Sequence, residues 1–348
     1  MAESRFAERS WGITTYVVVA DSTMGGDPQT TLAIVTKDRF YSTVETLLQL
    51  DFDAFAEILV VDDSEADTLR EWCASKPVTW VRGPGVNIQA ARNEALSRCT
   101  SEYISFVDDD VLLPTDFGSR VVDAFDSRPE AVAVGGPTLS NNVEDARNLC
   151  YREKMSVNPY TGTVHDDSYR WEPKDRVRVG LLKGANMSFR ADVLRKIGGF
   201  NPRFGGPAQR EETDVMVRIG EYGEIVYDPD LVCFHKQLGS DAQSSDGEFD
   251  EEFIEWRFRN HGYFVARNFG MRTWLLGLFS ILLRVCGNPE SLMQLVYRRL
   301  VLAQKFSVVQ CFVAYREGLS RAANEDSTEE TNVISSDIST SHGNETED

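Results

Sequence analysis

The chain has 348 residues, of which 42% are hydrophobic, and this length is sufficient for one large folded core with an appended segment. Its formal net charge of -19 repels the phosphate backbone of nucleic acids, so we expect no nucleic-acid partner. The six cysteines are scattered without a CxxC spacing, which argues against a zinc site or a disulfide framework and indicates reduced thiols.

The basic residues are also unevenly chosen, because only eight of the 36 are lysine. An acidic, lysine-poor composition is typical of a protein that stays hydrated in concentrated salt, where surface repulsion is screened. The first eleven residues are polar and lack the pattern of a signal peptide, and no uncharged apolar run reaches the roughly 18 residues of a spanning helix. We therefore expect a halophile's cytoplasmic protein.

Short apolar runs alternate with helical patterns over the first two-thirds of the chain. This alternation predicts an α/β fold with a mainly parallel sheet and helices on both faces. Sheets of this kind bind ligands at the carboxyl ends of their strands. The predicted strands are residues 31–36, 57–62, 78–81, 103–107, 131–134, 224–227 and 231–234, and the predicted helices are 88–99, with Asn87 as a cap, 191–197 and 211–222.

Composition divides the chain into four parts. We predict an N-terminal extension over residues 1–30, the α/β domain over 31–248, amphipathic or apolar helices over 249–321, and a disordered acidic tail over 322–348.

The helical segment after the α/β domain carries the opposite charge to the rest of the chain. Residues 267–321 contain eight basic and two acidic side chains, and Gln294, Arg298 and Lys305 share one helical stripe. Cationic apolar helices of this kind lie in a membrane interface, which favours a membrane-associated segment. The alternative is that these helices pack on the α/β domain or on a partner subunit.

Two of the predicted strands end in carboxylates, Asp62 and Asp63 in one case and Asp108, Asp109 and Asp110 in the other. Adjacent aspartates repel one another, and a divalent cation removes that cost. Mg²⁺ or Mn²⁺ prefers such oxygen ligands and binds phosphate oxygens as well. In a strand-end turn, the first and third aspartates of the triplet share one side. A solvated acidic turn is the alternative reading.

The order of motifs resembles that of family 2 glycosyltransferases of the GT-A fold. Each motif is weakly specific by itself, and their order along residues 31–235 carries the resemblance. The motifs are AIVTKDR at 33–39, VVDDS at 60–64, AARN at 90–93, FVDDD at 106–110, GANMSFR at 184–190, GGFNPRF at 198–204 and EETD at 211–214.

The resemblance implies a nucleotide-sugar donor bound with Mg²⁺ or Mn²⁺. It places Asp108 and Asp110 at the metal and the diphosphate, with Asp110 the more direct ligand. His235, which ends the last predicted strand, is a further metal candidate, although a lone histidine on a strand is more often structural. The other residues that the resemblance assigns to nucleotide-sugar binding are Thr36, Asp62, Asp63, Arg92, Asn93, Asp109, Gly184 and Asn186.

The family's general base is implied to lie in the acidic pair that opens a helix at Glu211. The second member of that pair is usually Asp, whereas Glu212 stands here, so the reach of the side chain differs. We assign the base to Glu212, with Glu211 and Asp214 as rivals. Acidic residues in a first helical turn are also explained by the helix dipole alone.

The resemblance implies an inverting transfer, and the absence of a Gln-x-x-Arg-Trp motif favours a non-processive enzyme. The basic helices suggest a lipid-linked acceptor, a dolichyl or polyprenyl phosphate glycan, at the cytoplasmic face of the cell membrane. The sugar would be a hexose or a hexuronic acid. In a haloarchaeal setting, such a glycan would serve N-glycosylation of a surface-layer protein.

Three other functions fit the sequence less well. A nucleotidyltransferase also uses a parallel sheet and an acidic metal site, but it usually has a glycine-rich loop after the first strand, which residues 36–40 lack. A non-catalytic binding scaffold would be favoured by a disrupted acidic triplet, and the triplet is intact. A dinucleotide dehydrogenase is disfavoured because no G-x-G-x-x-G follows the first strand.

Overall fold

A computed structural model describes residues 29–140, 155–166, 174–206, 209–236, 251–283 and 308–341. It contains a mixed eight-stranded sheet in the order β10-β12-β6-β11-β4-β1-β2-β3. The large sheet consists of β1 (Thr30–Thr36), β2 (Glu57–Asp62), β3 (Thr79–Arg82), β4 (Tyr103–Val107), β6 (Ala131–Gly135), β10 (Val177–Val179), β11 (Asn186–Arg190) and β12 (Glu224–Tyr227).

Most neighbouring strands of this sheet run parallel, and β10 and β11 are the antiparallel members. A second sheet has the order β5-β13-β7, and β8 pairs with β9 in a hairpin. These shorter strands are β5 (Val111–Leu112), β7 (Thr138–Ser140), β8 (Met155–Val157), β9 (Val164–Asp166) and β13 (Cys233–His235). The expectation of an α/β fold with a mainly parallel sheet is confirmed.

The helices lie on both faces of the large sheet. Leu32 and Ile34 of β1 pack in one apolar layer and Ala33 packs in the other, because successive side chains of a strand point to opposite faces. The helices are α1 (Phe40–Leu48), α2 (Thr68–Cys73), α3 (Ile88–Arg98), α4 (Phe117–Ser127), α5 (Ala191–Lys196), α6 (Glu211–Ile219), α7 (Glu251–Leu283) and α8 (Val308–Ser341), and a 3₁₀ turn covers Phe52–Ala54.

The local signals for these elements are visible in the sequence. The side chain of Asn87 accepts a hydrogen bond from the Ala90 amide at 2.9 Å and so caps α3 as expected. The last predicted strand begins two residues later than expected, because the amide of Leu231 is used in a turn with the Asp228 carbonyl. Helix α6 ends at Ile219 rather than at residue 222, since Gly220 begins a turn.

The two C-terminal helices pack on the α/β domain within the described residues. Phe258 and Phe264 of α7 and Tyr315 of α8 belong to the same buried cluster as Phe204 and Met216. The alternative in which these helices pack on the domain is therefore what the structure shows. None of the described helices is long and apolar enough to cross a membrane. The predicted basic stripe at Gln294, Arg298 and Lys305 lies outside the described residues.

Helix α8 also crosses a predicted boundary. We expected a disordered tail from residue 322, whereas the helix continues to Ser341 and Glu325 is buried within the fold. The composition of the tail is acidic, but Glu325 finds partners on α7, and these pairings make its burial possible.

Candidate active site

The acidic residues meet at one edge of the large sheet because the strands that carry them are parallel. Thr36 at the end of β1 lies opposite Asp62 at the end of β2. Ile34 of β1 lies opposite Val107, the last residue of β4, so Asp108 follows at the same edge. Sequence spacing thus brings three strand ends into one cleft, where ligands of such sheets bind.

Asp108, Asp110 and His235 converge into a single cluster, with one ligand atom from each lying within 4.8 Å of the others. His235 Nε2 is 3.2 Å from Asp110 Oδ1 and 3.7 Å from Asp108 Oδ2. The antiparallel pairing of β13 with β5 produces this arrangement, since it sets His235 opposite Val111, the residue after Asp110.

This cluster fits a divalent cation. Two carboxylates and an imidazole are suitable ligands for Mn²⁺ or Mg²⁺. Within the part of the chain that the structure describes, Asp110 Oδ1 is buried, and its 3.2 Å ion pair with His235 Nε2 does not have the geometry of a hydrogen bond. A buried carboxylate oxygen left in this way is costly unless a cation or donor meets it.

The charges around the cluster favour its ionised carboxylates. Burial by itself raises the pKa of Asp108, but the hydrogen bond to His235 and the charge of Arg92 outweigh burial, and the pKa lies below its ordinary value. The hydrogen bond to Asp108 likewise raises the pKa of His235.

Asp109 points away from the cluster and has its own hydrogen-bond and ion-pair partners. Its side chain accepts a hydrogen bond from Thr36 Oγ1 at 2.5 Å and pairs with Arg39 Nη1 at 2.8 Å, while its carbonyl accepts from Ser42 and Thr46 of α1. Burial raises the pKa of Asp109 to about 6. The hydrogen bond between Thr36 and Asp109 therefore holds the acidic turn in place. Both side chains point toward each other rather than toward Asp108 and His235.

Arg39 is the last residue of the motif at 33–39, and the sequence assigned it no role in the site. Its Nη2 donates to Asp110 Oδ2 at 2.7 Å while its Nη1 pairs with Asp109, so one guanidinium spans both aspartates. The position of Arg39 could have identified it, because it is a basic residue in the loop after β1, at the sheet edge where the aspartates gather.

The carboxylates at the end of β2 have different environments. Asp62 is fully buried and accepts hydrogen bonds from the Ser64 amide at 2.9 Å and from Trp80 Nε1 at 3.2 Å. Asp63 is half-buried and accepts from the Gly85 amide at 2.7 Å. Asp62 therefore shapes the loop, and Asp63 is the member of the pair that a ligand can reach.

Arg92 connects the acidic pair of α6 with the cluster of Asp108, Asp110 and His235. Arg92 is buried, its Nη1 donates to Glu211 Oε1 at 3.3 Å, and its guanidinium lies 5.3 Å from the ring centroid of Phe200. Gly184 faces the same guanidinium, since a Cβ there would lie 3.4 Å from Arg92 Nη2. Arg92 thus joins the two halves of the cleft, because its charge also acts on Asp108.

Glu211 and Glu212 differ in burial. Burial and the neighbouring charge of Glu212 raise the pKa of Glu211 well above its ordinary value, although Arg92 opposes the shift. Glu212 is half-buried, and its Oε2 has no hydrogen-bond partner among the described residues. Glu211 Oε2 is likewise buried without a partner among those residues, so the two carboxylates differ in exposure, and Glu212 is the more exposed of the two.

Asp214, the third candidate for the base, is held by contacts in the core. It is fully buried and its Oδ2 lies 2.8 Å from both Nε and Nη2 of Arg218, while its Oδ1 accepts from Asn268 at 2.8 Å. Arg267 Nε also lies 3.6 Å from Asp214 Oδ1, so these core contacts favour Glu212 and Glu211 over Asp214 as the base.

Asn93 and Asn186 also have structural partners. The Asn93 side chain donates to the Phe200 carbonyl at 2.7 Å and accepts from the Phe200 amide at 2.8 Å. Asn186 is fully buried and donates to the Leu231 carbonyl at 2.6 Å. Both amides therefore brace the turns that border the cleft.

Comparison with known proteins relates this geometry to a family. Residues 35–196 match the model of glycosyl transferase family 2. A curated relative from Haloferax volcanii, a glucosyl-dolichyl phosphate glucuronosyltransferase, is 26% identical over 209 residues, which is 57% of this chain. The match covers 64% of that relative, which is less than two-thirds of its length.

Two solved structures are also similar. The mannosyltransferase PcManGT from Pyrobaculum calidifontis, in complex with GDP-Man and Mn²⁺, has a TM-score of 0.46 at 16% identity, with coverage of 92% of this chain and 82% of that one. GalNAc-T7 with UDP, GalNAc and Mn²⁺ has a TM-score of 0.48 at 13% identity, with coverage of 79% and 56%.

Proposed function

Because residues 35–196 match the model of glycosyl transferase family 2, we propose that this chain is an inverting, non-processive enzyme that moves a hexose or hexuronic acid from a nucleoside-diphosphate donor to a lipid-linked acceptor. The single observation that carries the proposal is the position of Arg92. It lies between the cation-binding cluster of Asp108, Asp110 and His235 on one side and the glutamates of α6 on the other.

The chain's own residues divide the work of the reaction. Asp63 accepts hydrogen bonds from the nucleoside, and Arg92 keeps Glu211 in place beside the donor sugar. A cation held by Asp108, Asp110 and His235 would neutralise the charge of the diphosphate leaving group. Glu212 accepts the proton of the acceptor hydroxyl as that oxygen attacks the anomeric carbon and the bond to the diphosphate breaks.

Glu212 is preferred to Glu211 as the base for a physical reason. Glu211 is buried against Arg92, and the raised pKa of its carboxyl reflects how poorly its environment tolerates a second charge. Glu212 is half-buried and forms no ion pair with Arg92 among the described residues, so its carboxylate is the more accessible of the two. Glu211 then acts on the orientation of the first turn of α6.

The lipid-linked acceptor rests on two supports. The Haloferax relative is named for a dolichyl phosphate substrate. In this chain, Met271, Leu275 and Leu276 of α7 are half-exposed apolar side chains beside the exposed Arg272. An apolar surface with a neighbouring cation is suited to the edge of an anionic membrane. We place the enzyme at the cytoplasmic face of the membrane, with glycosylation of a surface-layer protein as its destination.

Purified protein tests the proposal directly. Incubation with a panel of nucleotide sugars and a polyprenyl phosphate glycan, in Mn²⁺ or Mg²⁺, should yield a glycolipid one sugar longer with inverted stereochemistry. Asp110→Asn and Glu212→Gln should each lower turnover by about a hundredfold or more. The exposed Glu221→Gln, just beyond the last residue of α6, is the matched control. Full activity of Asp110→Asn, or full activity after removal of metal by EDTA, contradicts the mechanism.

A further inference from the structure

The last described helix places an acidic side chain in the core beside its apolar residues. Glu325 of α8 is buried, and its Oε1 accepts from Arg267 Nη1 of α7 at 2.5 Å. Its Oε2 accepts a hydrogen bond from the Tyr263 hydroxyl and lies 3.6 Å from Arg203 Nη1. A buried carboxylate is retained only when it is paired and hydrogen-bonded, and Glu325 meets both conditions.

One arm of this network runs to the helix that carries the active-site glutamates. Arg267 Nε lies 3.6 Å from Asp214 Oδ1, so the guanidinium is shared between Glu325 and Asp214. Burial by itself lowers the pKa of Arg267, but the charges of Asp214 and Glu325 more than offset it. Asp214 lies in the first turn of α6, close behind Glu211 and Glu212.

The second arm runs to the loop that precedes α6. The hydroxyl of Tyr263 accepts from Asn201 Nδ2 at 2.7 Å, and Asn201 Oδ1 accepts from the Arg203 amide at 2.9 Å. This loop follows Phe200, whose ring lies beside Arg92. Both arms therefore begin at Glu325. One ends at the first turn of α6, and the other ends at the loop that follows Phe200.

The loop that leads into α6 is held by the same helix α7. Asn260 is buried and donates to the Gly205 carbonyl at 2.8 Å, and Arg210 Nε lies 3.3 Å from His261 Nδ1. Arg210 adopts a left-handed conformation with φ of 79° directly before Glu211. A non-glycine residue holds that conformation only when its surroundings impose it, so the entry to α6 depends on α7.

We propose that Glu325 is a positioning residue for the glycosyl transfer. Through Arg267 and Tyr263 it fixes the first turn of α6 and the loop before it, and so sets the direction in which Glu211 and Glu212 point. The inference rests on the proposed function in one respect, that these two glutamates serve the transfer. It extends the functional unit beyond the residues that match the family model, because Glu325 lies 129 positions after the last of them, residue 196.

Glu325→Gln tests the positioning role, since it keeps the size of the side chain and removes its charge. Arg267 is then drawn toward Asp214, and we expect kcat to fall about tenfold or more while the affinity for nucleotide sugar stays unchanged. The matched control is Glu317→Gln on the same helix, where a half-exposed glutamate pairs with Arg259 on the surface. That control should retain the kcat of the native protein.

Hydrogen exchange gives a readout that is independent of turnover. Peptides covering residues 209–219 should exchange faster in Glu325→Gln than in Glu317→Gln, while peptides covering the central strand at 131–135 should not change. Unchanged exchange over 209–219, or an unchanged kcat in the folded variant, overturns the proposal. If Glu325→Gln fails to fold, Tyr263→Phe, which deletes only the hydroxyl, carries the same expectations for kcat and exchange.

A double variant separates positioning from general stabilisation. Arg267→Met and Glu325→Gln should lower kcat by less in combination than the product of their separate effects, because each breaks the same link to α6. Multiplicative effects would overturn the link. A native protein without any transferase activity would refute the proposed function, whereas the exchange result would still decide whether Glu325 is coupled to α6.

Discussion

Arg39 pairs with the carboxylate of Asp110, which is one of the candidate metal ligands. Its Nη2 donates to Asp110 Oδ2 at 2.7 Å, and its positive charge lies at the edge of the cluster formed with Asp108 and His235. Like charges repel at this distance, even when partly screened by solvent. The side chain must therefore move, or share the carboxylate, when a cation binds.

Arg39→Gln should strengthen metal binding. The substitution removes the competing charge from Asp110, so we expect the Kd for Mn²⁺ to fall several-fold when it is measured by calorimetry on protein without nucleotide. Arg98→Gln, which breaks an exposed pair with Glu94 on α3, is the matched control. An unchanged or weaker affinity for Mn²⁺ in Arg39→Gln would show that Arg39 does not compete with the ion.

Glu211 provides a test of the electrostatics across α6. A carboxyl whose pKa is raised in the folded state contributes stability at low pH, and this contribution is lost as the pH rises from the unfolded pKa of about 4.3 through the folded pKa. Glu211→Gln does not titrate, so its free energy of unfolding relative to the native protein should rise as the pH increases above that value.

Urea denaturation at about pH 5 and about pH 8 measures this difference, because the unfolding free energies of the two proteins can be compared at each pH. The exposed Glu221→Gln should show no such trend. A relative stability of Glu211→Gln that falls toward pH 8 would mean that the Arg92 pair dominates and that the carboxylate is favoured in the fold.

At the scale of elements, helix α7 contains a break that the chain needs. Gly270 has φ of 76° and ψ of -179°, a conformation that is essentially restricted to glycine. The break separates the part of α7 that supports α6, which includes Asn260 and Arg267, from the part that carries Trp274. The second part then turns so that Trp274 stacks on Tyr315 of α8 with ring centroids 5.2 Å apart.

Gly270→Ala should destabilise the protein by about 1–3 kcal/mol. Apart from the neighbouring backbone of α7, no atom of the described residues lies within 4 Å of the position that a Cβ would take, so the cost comes from the backbone conformation rather than from a clash. The half-exposed neighbour Met271→Ala is the control and should change stability little. A native melting temperature for Gly270→Ala would show that the break can be absorbed elsewhere in α7.

At the scale of the whole molecule, the C-terminal helices complete the core. Trp274, Cys311, Ala314 and Tyr315 are buried in the same cluster as residues of the α/β domain, and Glu325 joins them through its ion pair. The motifs that suggest catalysis all precede residue 236. The apolar surface of the α/β domain that carries them is covered by the two C-terminal helices.

Removal of residues 272–348 should therefore prevent cooperative folding. The sequence pattern places the metal and nucleotide residues in a separate domain. On that basis alone, a shortened protein would still hydrolyse nucleotide sugar. The structure leads us to expect exposure of Phe264 and its neighbours and loss of a sharp thermal transition. Calorimetry of the shortened chain decides the point, and a cooperative transition near that of the full chain would contradict it.

The proposed membrane attachment depends on exposed apolar side chains of α7. Leu275 and Leu276 are 53% and 50% exposed, and their replacement by Ser should weaken flotation with anionic liposomes by about tenfold or more. Leu48→Ser alters a similarly exposed leucine on α1 and should not weaken it. Flotation should be compared at low and high salt, since salt screens the contribution of Arg272. Equal flotation of both variants would place the contact elsewhere.

The sequence by itself determined the α/β fold, most of its strands and the edge at which the acidic residues gather. These features follow from local patterns, since apolar runs mark buried strands and parallel strands end on the same side. Asp108, Asp109 and Asp110 follow directly after such a run, and this position alone assigns them to the ligand-binding edge. The helix that begins at Glu211 was found in the same way, although its last turn was placed too far along.

The tertiary structure alone decided how these residues are paired and buried. The pairing of β13 with β5 set His235 beside Asp110, and the packing of α3 against α6 joined Arg92 to Glu211. Asp214 is disfavoured as the base because Arg218 and Asn268 hold it, and Glu325 entered the fold because Arg267 does. Contacts between residues far apart in the chain depend on the register and packing of whole elements, which no local pattern encodes.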